Sequence, residues 1–415
     1  MKLKSLFLAS LALVAMASCS NEESVIDDGN SSAEKKALMQ IGFTFPASTA
    51  TRATEAATTE ESNFTDAVIV IDQSQGKTVV TVKKEDFRSG TPSDGKAVLY
   101  LKDNIAVYEG EATIYVYLNA SSELKGKISS DNISSYNDHV INISNYSNDI
   151  LEAAGNVAEK DKFLMSNANG APVVKTFVTG VNGVTVHVDR VVAKLIEMSA
   201  NKQFSVANPS VNNQEEINVT LTGYSFAGLQ KDTYVLAQNR LIALNLYNKY
   251  NDPTTAYTFK ALSDISNEQR TYCLENINNE AGLATKTNII YKAQIKVGDT
   301  AVGTTLYITP DKKLFKSFDD MIQAGYNFAG ITSNSTIEDC LALGLHKYEN
   351  GICYYMASIK TGNVEKIVRN NSYQLKVNSI AQIGSVLPKT IDAPSLLELS
   401  VEVNAWTTNL NGFDL

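Results

Sequence analysis

Residues 396–415 read LLELSVEVNAWTTNLNGFDL. From Leu397 to Ala405 the odd positions are apolar (Leu397, Leu399, Val401, Val403, Ala405) and the even ones polar (Glu398, Ser400, Glu402, Asn404). A strict period of two belongs to a strand with one face on a core and one in water. The run follows Pro394 and lies near the end of the chain, so a strand free to pair with a partner is expected. A shorter alternation stands towards the other end. In LMQIGFTFP (38–46), Met39, Ile41, Phe43 and Phe45 alternate with Gln40, Gly42 and Thr44 until Pro46 stops the run. The two strands are expected to compete for one kind of groove.

Between them the chain is rich in short β-type runs: AVIVI (67–71), TVVTV (78–82), AVLYL (97–101), ATIYVYLN (112–119), VVKTFVTGV (173–181) and VTVHVDRVVAKLIEMSA (184–200). INVTLTGYSF (217–226), NIIYKAQIKV (288–297), GICYYMASIK (351–360) and SYQLKVNSIAQIG (372–384) continue the series. Strands at this spacing predict β-sandwiches, with 86–95 as a loop and helices near 148–160, 315–324 and 335–345. The 184–200 run is long for one strand and breaks at Asp189-Arg190, where a domain boundary is expected. The polar stretch 239–287 is long for a structureless connection and is expected to hold local helix or extra hairpins. With 415 residues the chain has room for two or three domains, and its 20% charged content suits a folded protein. A net charge of −9 without a basic stripe argues against a nucleic-acid partner.

Lys2 and Lys4 precede a short apolar run, Leu6 to Ala17, which reads as a signal peptide rather than a membrane span. It ends in Met16-Ala17-Ser18-Cys19, similar to a bacterial lipobox, so Cys19 is the expected lipid-bearing residue. Residues 20–37 are a polar tether. The Thr- and Ala-rich loop after Pro46 carries a single basic residue, Arg52, which on composition alone is a loop arginine open to a trypsin-like protease. Cys273, Cys340 and Cys353 remain: either Cys340 pairs with Cys353, or the thiols are free and buried.

Residues that carry chemistry are sparse. His139, His187 and His346 lie far apart without metal-ligand spacing and read as structural. Nucleophile-elbow, zinc-protease, phosphate-loop and dinucleotide motifs are absent, so no enzyme activity, metal or cofactor is expected. Tyr115 and Tyr117 share a strand face and Tyr354 and Tyr355 point oppositely, so exposed aromatics for sugar binding are conceivable, with core packing their ordinary use.

Taken in order, the Cys19 lipobox, the Arg52 loop, FLMSNANGAPVV (163–174), DRVVAKLIEMS (189–199), GICYYMASI (351–359), VRNNSYQLKVNSIAQIG (368–384) and the terminal strand with Trp406 make the chain resemble the fimbrillins, subunits of the type V pili of Bacteroidales. The resemblance implies an all-β fold of two tandem transthyretin-like Greek-key sandwiches. Residues 1–18 would be the lipoprotein signal peptide and 19–52 a propeptide with a removable strand. The sandwiches would be 53–189 and 190–415, the latter ending in a donor strand, 396–415. It implies a palmitate-bearing precursor in the outer membrane, cut between Arg52 and Ala53 by an arginine-specific protease. The strand Met39–Phe45 would then leave, and the Leu397–Ala405 strand of another copy or related subunit would fill its groove. The product would be a surface fimbria for adhesion to a host or bacterial receptor that the sequence does not name. In an uncut subunit the terminal strand is expected to be mobile or loosely docked. A lipid-anchored surface glycan-binding protein is the alternative reading.

Overall fold

The computed structural model describes residues 25–26, 35–45, 54–93, 96–143, 146, 157–250, 252, 256–262, 269–280, 282–388 and 397–407. Cys19, Arg52 and Ala53 lie outside the described residues.

The fold is mostly β. The first strand, Ala37–Thr44, lies inside its sheet, parallel to Gly180–Arg190 from Ala37 opposite Gly180 to Thr44 opposite His187. Its other edge is shared by two antiparallel neighbours, Asn104–Val107 and Lys96–Leu101. A facing layer places Asp66–Gln73 between Gly76–Lys83 and Gly110–Leu118. Residues 67–71 are wholly buried, as an apolar AVIVI run in a central strand requires. The layers join because Gly180–Arg190 turns the corner: its far end pairs with Met165–Asn167, which pairs with Gly110–Leu118. Gly42 lets the backbone of the first strand lie against an aromatic ring, since a Cβ there would stand 2.8 Å from the Tyr100 ring.

Past Val191 the chain enters a second sandwich. One sheet runs Gln269–Leu274, Val192–Glu197, Asn371–Ile380, Leu397–Thr407 and Thr54–Ala56 in spatial order. Its partner sheet runs Gln203–Val206, Ile217–Ala227, Asn288–Val297 and Ile352–Ser358. One continuous apolar core extends through both sandwiches. Leu306–Ile308, Leu314–Phe315 and His346–Tyr348 form a further small sheet, whose Leu306, Ile308, Leu314 and Tyr348 pack into the main core. The helices Phe318–Gln323 and Ile337–Ala342 accompany it, around a separate core of Tyr307, Phe315, Met321, Cys340 and Leu345.

Several expectations need correction. The terminal strand is not loosely docked, because it pairs with Asn371–Ile380 from Ala405 opposite Asn371 to Leu397 opposite Ile380. Cys340 and Cys353 do not form a disulfide: both are free and buried, Cys340 in the small hairpin core and Cys353 in the main core. Phe87–Ser93 is a strand rather than a loop, pairing among the described residues with Lys96–Leu101 alone, and Pro92 is tolerated on such an edge. Of the helix expected at 148–160, the part up to 156 lies outside the described residues, and Ala158–Glu159 instead pairs with Lys162–Phe163.

Candidate assembly site

The first strand is held by burial, on both faces from Ile41 onward, and by ladders on both edges. Met39, Ile41 and Phe43 are fully buried and Phe45 nearly so. At roughly 1.5–3 kcal/mol for each large apolar side chain, these four contribute roughly 6–12 kcal/mol before chain entropy is counted. Removing the strand would uncover the edge of Gly180–Arg190 and those of Asn104–Val107 and Lys96–Leu101 together, leaving an apolar slot. The strand's downstream connection passes through the segment containing Arg52, and the chain resumes at Thr54–Ala56 on a sheet of the other sandwich.

The terminal strand keeps its predicted alternation. Leu397 is buried, while Leu399, Val401, Val403 and Ala405 are half-buried; Glu398, Ser400 and Glu402 are exposed. On its outer edge, among the described residues, the strand is matched by Thr54–Ala56, which runs parallel to Ala405–Thr407. At its end the buried face changes: Asn404 and Trp406 turn inward, and Trp406 is fully buried.

Trp406 enters a polar hub between the two sandwiches. At its centre is Glu61, 1% exposed, on the one-turn helix Thr59–Ser62 that follows the Thr54–Ala56 strand. A capping box sets its rotamer: the Thr58 hydroxyl accepts from Glu61 N at 3.2 Å and Thr58 N donates to Glu61 Oε2 at 2.8 Å. Oε2 also accepts from the Trp406 indole at 3.2 Å and from Lys194 Nζ at 3.3 Å, and Oε1 accepts from the Tyr272 hydroxyl at 2.5 Å. Arg190 donates from Nε to the Glu61 carbonyl and from a terminal nitrogen to the Trp406 carbonyl, each at 3.0 Å. Its guanidinium lies 4.4 Å from the indole centre, and Tyr272 stacks on the indole at 5.7 Å and 17°. Burial opposes ionisation of Glu61, yet Lys194, the Tyr272 and Thr58 bonds and Arg190 outweigh it and hold the carboxyl below its usual range. Burial also pulls the Arg190 guanidinium down to about 10.

The VRNN turn feeds the same hub. Asn370 adopts φ 54°, a left-handed conformation that asparagine tolerates. Its N–H bonds the Val192 carbonyl at 2.8 Å, its side-chain amide donates to Asp189 Oδ1 at 3.0 Å, and its carbonyl accepts from Trp406 N at 3.4 Å. Arg369 beside it is clasped by Glu275, the Tyr234 carbonyl (2.7 Å) and the Val235 carbonyl (3.1 Å). The sequence reading missed Glu61, Arg190, Lys194 and Tyr272. Only the Thr58-x-x-Glu61 capping pattern offered a signal, since the others meet through long-range pairing.

Of the remaining candidates, His139 Nε2 bonds Asp131 at 3.0 Å, and His187 meets Thr44 of the first strand. Among the described residues no group of His, Cys, Asp or Glu is placed to hold a metal, and no helix is long and apolar enough to cross a membrane.

Residues 346–411 match the C-terminal family of fimbrillins, the major fimbrial subunit proteins (type IV). No curated protein matches the chain in sequence. Among solved structures, a fimbrilin from Porphyromonas gingivalis superposes with a TM-score of 0.51 at 14% identity, covering 90% of this chain and 99% of its own. A candidate cell adhesion protein from Parabacteroides distasonis gives a TM-score of 0.50 at 15% identity, covering 89% and 100%. At these identities the structural likeness is one of fold.

Proposed function

We propose, from the assignment to the fimbrillin family that the C-terminal match and the shared fold support, that this chain is a structural subunit of a cell-surface fimbria. On this reading the subunit is exported as a lipoprotein on Cys19 to the outer membrane and cut between Arg52 and Ala53. It then polymerises by strand exchange, its partners being further copies or related subunits. The observation that carries the reading is the route of the chain around the first strand. Ala37–Thr44 is a central, apolar strand of one sandwich, and a cut at Arg52 severs it from everything downstream. The vacated slot suits an extended strand with alternate apolar side chains, and Leu397–Ala405 has that pattern. A head-to-tail exchange of this kind does not close on itself and so builds a filament. Residues 53–189 and 190–415 are the two domains on this reading, with Thr54–Ala56 reaching across to the second.

The glycan-binding alternative calls for an exposed aromatic row, and Tyr115, Tyr117 and Tyr355 are buried.

Treatment of the purified precursor with an arginine-specific protease tests the proposal. A product beginning at Ala53 and a ladder of SDS-resistant oligomers are expected. A cut product that stays monomeric, or ladders that survive deletion of residues 396–415, would overturn it.

A further inference from the structure

The first strand and the terminal strand lie in different sandwiches, yet a continuous path of contacts joins them. Phe43 on the first strand packs on Phe87 with ring centres 5.1 Å apart. Phe87 meets Phe64 edge-on at 5.5 Å and 82°. Phe64 follows the helix that carries Glu61, and that helix is fixed to the first sandwich: Asp161 N donates to the Glu60 carbonyl at 3.0 Å, and the Asn63 amide to Asp161 at 3.1 Å. Glu61 then crosses to the second sandwich and takes the Trp406 indole N–H. A ladder to Asn371–Ile380 alone would leave the terminal strand indifferent to the state of the first sandwich. The hub gives it a contact that depends on where the Glu61 helix sits.

We propose that Glu61 is the positioning residue of a latch that makes docking of the terminal strand conditional on the first strand being in its slot. With the first strand present, Phe43, Phe87 and Phe64 seat the Thr59–Ser62 helix, and the carboxylate, Arg190 and Tyr272 hold Trp406. Loss of the first strand removes Phe43 from the stack, lets the helix shift, and loosens the indole. One cut then opens the acceptor slot and releases the donor of the same subunit, so an uncut subunit offers neither. Physical contiguity alone does not establish coupling, so the test must read both ends of the path. The inference rests on the strand-exchange reading for its purpose, but the latch itself is measurable in an uncut chain.

The chain has a single tryptophan, so its fluorescence reports the hub directly. In the uncut chain, emission should be blue-shifted and shielded from acrylamide. After cleavage and loss of the first strand, at a dilution that keeps subunits monomeric, quenching should rise severalfold. Glu61→Gln should raise quenching and amide exchange across 397–407 before any cut, leaving exchange in 37–44 slow. Tyr272→Phe removes one bond to Glu61, keeps the stacked ring, and should give a smaller change in the same direction. Phe87→Ala should weaken the dependence on cleavage while leaving Glu61 in place. If Trp406 is equally shielded before and after loss of the first strand, or if both Glu61→Gln and Tyr272→Phe fold and leave it shielded, the latch is refuted. Absence of oligomers with the fluorescence change intact would sink strand exchange and leave the latch standing.

Discussion

The indole N–H of Trp406 donates to the Glu61 carboxylate at 3.2 Å, joining the last described strand to the first described helix. Both residues are buried, and neither sandwich supplies the whole contact. The energetic consequence is asymmetric. Removing the carboxylate takes the counter-charge from buried Lys194 and weakens the charge balance around Arg190, whose bond to the Glu61 main-chain carbonyl stays, whereas removing the indole leaves the Lys194 pair in place.

Glu61→Ala should therefore destabilise the chain by about 3–5 kcal/mol, the range for breaking a buried ion pair by losing one partner. Glu61→Gln retains the volume and should cost less. Urea unfolding followed by circular dichroism measures both, and a Glu61→Ala variant within about 0.5 kcal/mol of wild type would contradict the buried geometry, since only exposed substitutions behave so.

Acid should loosen the hub. The folded-state pKa of Glu61 is depressed, so its contribution is present above the unfolded value of about 4.3 and is lost as pH falls through the lower folded value. Asp189, raised chiefly by burial, works in the opposite sense, because its protonated form is favoured in the folded chain. Glu61→Gln should flatten the acid limb of the stability profile and Asp189→Asn should steepen it; identical limbs in all three proteins would refute the assignment.

Faces of the terminal strand should differ in function. Val401→Asp places a charge on the half-buried face and should abolish oligomer ladders after cleavage, while Glu402→Ala on the exposed face should leave them intact. Equal effects at the two positions would argue against strand donation.

Cys273, Cys340 and Cys353 should react with a thiol reagent only after unfolding. Burial pushes the Cys353 thiol up to about 11, so little thiolate exists at neutral pH. Gel mobility should be the same with and without reductant, and a reductant-sensitive shift would mean that a disulfide forms after all.

The two strands at either end were legible because burial on one face imposes period two, which holds from Ala37 to Ile41 and from Leu397 to Val403; beyond, Gly42 and Thr44 are buried too, and Asn404 and Trp406 reverse the buried face. Long-range geometry was not. Gln269–Leu274 looked irregular in QRTYCL because an edge strand beside Val192–Glu197 needs no clean alternation. Phe87–Ser93 was masked by Gly90 and Pro92, which an edge position permits. Arg190 read as a break in a strand, and its role appears only when Glu61 and Trp406 arrive from distant parts of the chain. The terminal strand's cis pairing was hidden for the same reason: alternation reveals which face is buried, never against what.

The hairpin region between Leu306 and Tyr348 has a different kind of importance. Tyr307, Phe315, Met321, Cys340 and Leu345 form a nucleus of their own beside the main core, to which the neighbouring Leu306, Ile308, Leu314 and Tyr348 belong. Selection can rewrite the outward faces of its two helices at little cost to the folding of the rest. Substitutions on that outer surface would therefore change what the molecule presents to its surroundings without touching the Glu61–Trp406 contact.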